Sequence, residues 1–153
     1  MLRVLCSETE LAEEGETIAV GQRLRRTAAR YGSALGGELA GVDWWFDRYA
    51  EGNPASAVTI SGVVASVHSV HVRLMLEPGR GLVPRPGSTT LTPLTSTADA
   101  RQPVQEVQWG PPTAPDEHGD VHQGGWQSVQ PGDESLMGWL ILLDGEEIAP
   151  FVE

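Results

Sequence analysis

A chain of 153 residues is the size of one ordinary domain and can bury a core without disulfide or metal staples. Its 18 Gly and 11 Pro beside a 40% hydrophobic fraction fit a turn-rich β-protein and speak against a helical bundle. Twenty-one acids against ten basic residues leave a net charge of -11, a field that repels phosphate and so disfavours nucleic acid and anionic membranes as partners.

Residues 2–6 read as a first short strand. Residues 8–16, with five acids and Gly15, read as a solvated connection. From Thr17 to Leu24 the apolar Ile18, Val20 and Leu24 share one parity, which predicts a half-buried strand running to about Arg26. Leu24, Ala28, Tyr31, Leu35 and Leu39 also recur at helical spacing, so a short helix is expected within residues 30–40, weakened by Gly32, Gly36 and Gly37. Four of the nine aromatics fall within six positions, at Trp44, Trp45, Phe46 and Tyr49. Asp43 reads as the cap of a short helical turn there, which Gly52-Asn53-Pro54 ends.

Residues 58–77 carry the clearest β-pattern. Val70, Val72, Leu74 and Leu76 share one parity, and the blurring of parity after Gly62 predicts a bulge or bend. Pro78-Gly79-Arg80-Gly81 is a turn, and residues 89–95 form a strand that Pro93 pushes to an edge. Residues 102–135, rich in Gly and Pro, read as a long flexible loop. Residues 136–143 are apolar on both parities and predict a central strand. Asp144-Gly145 reads as a turn before a last edge holding Ile148, Phe151 and Val152. The whole chain, 1–153, is thus expected to be a single β-rich domain, a small SH3-like or OB-like barrel of five to seven strands with one short helix. The longest strongly apolar run, residues 139–143, is far too short for a membrane span. No leader pattern is read at the N-terminus, so a cytoplasmic location is expected.

Five segments, Val20-Gly21-Gln22-Arg23-Leu24, Val42-Asp43-Trp44, Ser66-Val67-His68-Ser69-Val70-His71, Leu91-Thr92-Pro93-Leu94-Thr95-Ser96 and Gly138-Trp139-Leu140-Ile141-Leu142-Leu143, resemble a small family of uncharacterised actinobacterial proteins. The absence of lysine and the abundance of Ala, Gly, Pro and Val fit coding bias in a GC-rich bacterial genome. The resemblance implies one small domain of unknown function and brings no activity or ligand with it.

Four sets of residues invite a functional reading. His68 and His71, with His118 and His122, are the candidate metal ligands, since imidazole suits zinc. Residues three apart on a regular strand face opposite ways, however, so His68 and His71 need a bulge to share an ion. The aromatic group Trp44, Trp45 and Tyr49 offers a partner surface, because rigid rings bury much area at little entropic cost. The competing reading has both tryptophans filling an open end of the barrel. Arg23, Arg25, Arg26 and Arg30 offer a place for an acidic partner or one phosphate, or else pair with the acids of residues 8–16.

Catalytic patterns are missing. There is no Gly-x-Ser-x-Gly elbow, and without lysine there is no P-loop. Cys6, the one cysteine, reads as a small buried hydrophobe. Asp43 and Asp47 would serve as an acid/base pair only if burial raised one pKa. The expectation is a non-enzymatic binding or interaction module with a protein partner and no cofactor. Its contact residues are Trp44, Trp45, Tyr49, His71 and Arg73. The alternative is a metal-binding protein or metal-dependent enzyme using the histidines.

Overall fold

The computed structural model describes residues 1–13, 15–31, 39, 41–100, 108–112, 118, 123–126 and 132–152. In strand β1 (Leu2–Ser7), Val4 and Cys6 enter the main core while Leu5 faces the other way. Ser7 ends the strand and caps helix α1 (Glu8–Ala12), its Oγ accepting the Glu10 amide at 3.3 Å. Five residues are too few for a helix to persist by propensity. Leu11, fully buried in the core, holds it in place. The expected solvated connection is corrected here: one apolar anchor among the acids is enough to fold it down.

Strands β2 (Arg23–Arg30), β3 (Trp44–Phe46), β4 (Val58–Glu77) and β9 (Glu134–Pro150) close a ring with β1. Its order is β2-β3-β1-β9-β4, with β4 returning to pair β2. Only β1 and β3 run parallel; the other ring contacts are antiparallel. An OB barrel pairs its five strands in the order 1-2-3-5-4-1, with 3 and 5 parallel and a helix between 3 and 4. Entering that ring at its third strand reproduces this chain, including α1 between β1 and β2. The barrel is OB-like in a circularly permuted order. Along the edge of β4 away from β9 lie β2, then β6 (Thr90–Leu94), then β5 (Gly81–Pro84). Strands β7 (Gln108–Pro112) and β8 (Gln123–Trp126) form a separate antiparallel pair within the stretch expected to be a loop.

Residues 44–46 form a strand, and the expected helical turn starts only after it. Trp44 and Phe46 both enter the core and Trp45 points away from it, a period of two that only a strand provides. Asp47, not Asp43, is the cap: its carboxylate accepts the Tyr49 amide at 2.9 Å and opens a 3-10 turn over Arg48–Gly52. The helix expected within residues 30–40 falls largely outside the described residues.

The two long strands carry their irregularities at identifiable residues. Between Val64↔Leu143 and Ser66↔Leu142, β4 has one extra residue, Ala65. The inward set therefore changes from Ile60 and Val64 to Val67, which is the parity change visible in the sequence. Opposite Ser61 and Val63, β9 carries the extra residue, and Gly145 takes φ 59° there. Asp144-Gly145 therefore bulges the strand without reversing it, and β9 continues to Pro150. Gly62 faces that kink, where a Cβ would lie 3.2 Å from the Asp144 carbonyl.

Two apolar clusters result. The inner one fills the barrel with Leu24, Phe46, Ile60, Val67, Trp139 and Ile141 among others. The second lies outside the barrel wall, where Leu5, Val70 and Leu140 are covered by Leu39, Val42, Tyr31 and Trp45. A third buried junction is polar. The Ile18 amide donates to Thr97 Oγ1 at 2.9 Å, and the Thr97 amide donates to the Ile18 carbonyl at 2.8 Å. Thr97→Val keeps the shape but strands the Ile18 N–H, and should cost about 1–3 kcal/mol in a urea unfolding titration.

Candidate binding cleft

Between α1, from its N-cap to its C-cap, and the segment of β3 and the 3-10 turn lies a cleft of about 290 Å³. Ser7, Thr9, Glu10 and Glu13 line it from the helix side; Trp45, Phe46, Asp47 and Tyr49 line it from the other. Phe46 is buried and Trp45 half-buried, whereas Tyr49 stands 70% exposed. Tyr49 is nevertheless tethered: its hydroxyl donates to Glu13 Oε2 at 2.7 Å, and that bond holds the phenol above its ordinary pKa. Arg48 ties the two sides together. Its backbone amide donates to Glu10 Oε1 at 3.2 Å, and its guanidinium pairs with Glu13. Partial burial pushes the Glu10 carboxyl above the usual carboxylate range, more than Arg26 and Arg48 pull it back. The result is an aromatic-walled slot with three carboxylates and, among the described residues, no basic side chain on its lining.

Two of the five residues expected to form the contact surface, Trp45 and Tyr49, meet in this cleft. Trp44 is in the barrel core, 9% exposed, with the Arg30 guanidinium 4.3 Å from its ring centre. His71 and Arg73 lie in the half of β4 that pairs β6 and follows toward β5, whereas β3 pairs only β1 and β2. Arg73 is engaged there, Nη1 donating to the Gly132 carbonyl at 3.0 Å. The α1 carboxylates were missed as site residues because acids in a short polar stretch read as solvent-facing. The pattern Ser7-x-x-Glu10, a helix-start signature, was the available signal.

The remaining candidates are dispersed. His68 opposes Leu140 and His71 opposes Leu136. The extra residue between those pairs, Met137, belongs to β9, so β4 alternates normally and its two histidines face opposite sides. His118 is exposed, and His122 lies outside the described residues. Among the described residues, no three of His, Cys, Asp and Glu converge as metal ligands would. Asp43 and Asp47 flank β3 at opposite ends, about 13 Å apart at strand rise, too far for shared acid/base work. The arginines split as well: Arg26 lies near Phe46 and pairs with Glu16, while Arg23 and Arg25 are exposed. Glu16 shares their shallow hollow, which blunts its pull on an anion.

No family model, curated protein or solved structure matches this chain. Among the described residues, no helix is long and apolar enough to cross a membrane.

Proposed function

We propose that this protein is a small cytoplasmic, non-enzymatic binding module whose contact surface is the cleft wall of Trp45 and Tyr49. The observation that carries the reading is the exposed Tyr49 ring, fixed by its hydroxyl bond to Glu13 beside a half-buried Trp45. A ring already held in place loses little freedom on contact. OB barrels that take oligonucleotides use the outer face of their second and third strands, which correspond here to β9 and β1. That face is occupied by the second apolar cluster, with Leu5 and Leu140 buried beneath Leu39 and Val42. Together with the net charge of -11, this favours a protein partner over nucleic acid.

The test is affinity capture from host lysate with native protein, Tyr49→Ala and Trp45→Phe, each checked for native circular dichroism. At least one captured protein should be lost or reduced about tenfold with Tyr49→Ala, the scale of a modest contact residue. Identical captured sets for native protein and both variants would overturn the proposal.

A further inference from the structure

The lining of the cleft also bears on what it receives. Trp45, Phe46 and Tyr49 give it aromatic walls, and Glu10, Glu13 and Asp47 supply its charge. Among the described residues, no basic side chain lines it. Arg48, the nearest cation in sequence, pairs its guanidinium with Glu13 and holds it 5.4 Å from the Tyr49 ring centre, while only its backbone amide reaches the Glu10 carboxylate. Each carboxylate still has an oxygen with no hydrogen bond among the described residues, since the contacts go to Glu10 Oε1, Glu13 Oε2 and Asp47 Oδ1. Aromatic faces attract cations, guanidinium most often, and carboxylates accept its planar fork in pairs. The cleft's volume of about 290 Å³ lies at the lower end of ligand pockets. That is room for one long side chain and not for a folded element.

We infer that the cleft receives an arginine side chain presented by a basic segment of a partner protein, with the guanidinium against Trp45, beside the Tyr49 ring that Arg48 already covers, and among the remaining carboxylate oxygens of Glu10, Glu13 and Asp47. This rests on the binding-module reading and names the chemistry of its partner. An acidic or purely apolar partner would leave Glu10 and Asp47, neither of them ion-paired among the described residues, facing a like charge or stripped of water, which is costly.

The experiment is an NMR titration of the full chain with a seven-residue peptide of glycine and serine carrying one central arginine. Two further peptides replace that residue by citrulline, which keeps the shape without the charge, or by glutamate. The arginine peptide should move the Trp45 indole and Tyr49 ring signals and bind at least about tenfold more tightly than the citrulline peptide. Glu13→Gln should weaken it several-fold, whereas Glu77→Gln, at the far end of β4, should leave it unchanged. Equal binding of arginine and citrulline peptides would overturn the cationic partner. So would an absence of ring shifts up to about 10 mM, weaker than specific contacts of this kind. If lysate capture still depends on Tyr49 in that event, the binding module stands and only its partner chemistry falls; if that dependence is also lost, both fall.

Discussion

Gly138→Ala should abolish the cooperative fold, at a cost on the order of 4 kcal/mol or more. A Cβ at this position would lie 2.2 Å from the Cys6 carbonyl oxygen and 2.9 Å from the Ser7 Cα, and the backbone sits at φ 154°. Both obstacles are main chain, so no rotamer change relieves them. β1 would have to move off β9 across the pairs Cys6↔Trp139 and Ser7↔Gly138. That movement opens the ring at the strand that also carries β3. Gly145→Ala is the matched control, since its φ of 59° is also left-handed but nothing lies within 4 Å of the added carbon. It should cost only backbone strain, roughly 1–2 kcal/mol. Urea titrations followed by circular dichroism compare the two. Equal losses would show that close strand approach is not what requires Gly138.

The same crossing explains which parts of the fold could be read in advance. Residues 58–77 and 136–143 announced themselves as strands because alternation is a local property, and they pair as the longest ladder in the barrel. Gly62 did mark a register shift, but the extra residue there belongs to β9, opposite it. The bulge at Ala65 was not a local property, because an extra residue is defined only against the partner strand. The parity change marked its neighbourhood and no more. The parallel pairing of β1 with β3 left no trace in either segment, yet it is what distinguishes an OB-like ring from an SH3-like one. Closing a ring from strands distant in sequence leaves no period to detect. Asp144-Gly145 shows the converse error: a good turn dipeptide was overridden by pairing on both sides of it.

The candidate site divides along the same line. Trp45 and Tyr49 stood out because aromatics are scarce and clustered, and they do share a cleft. His71 and Arg73 were correctly seen on a strand. Which end of a 20-residue strand faces another element is a matter of topology, and β3 pairs elsewhere. Glu10 and Glu13 escaped notice because the helix that presents them exists only through Leu11. Burial of one leucine, worth about 2–5 kcal/mol relative to alanine, turns an acidic connection into one wall of the slot. Fold and site are linked most tightly at that residue.

Raising the pH should destabilise this protein through Cys6. The thiol is buried on β1 between strands that cannot part, and burial pushes its pKa from 9.0 up to about 12. Glu10 and Glu16 push the same way, and Arg26 pulls it back. A thiol whose pKa is raised by folding releases its proton more readily when unfolded. Stability is therefore fully present below pH 9.0 and falls as pH climbs from there towards about 12. Three pH units correspond to about 4 kcal/mol, a large share of the 5–15 kcal/mol typical of a domain. Urea midpoints measured from pH 8 to about pH 11 should fall steeply in native protein. Cys6→Ala, which gives up a small buried contact, should start slightly less stable and show a much shallower decline. The thiol should also resist Ellman's reagent at neutral pH and react stoichiometrically in denaturant. A native thiol that reacts at once, or equal alkaline slopes in the two proteins, would place Cys6 outside the dry interior that the ring of β1, β9, β4, β2 and β3 encloses.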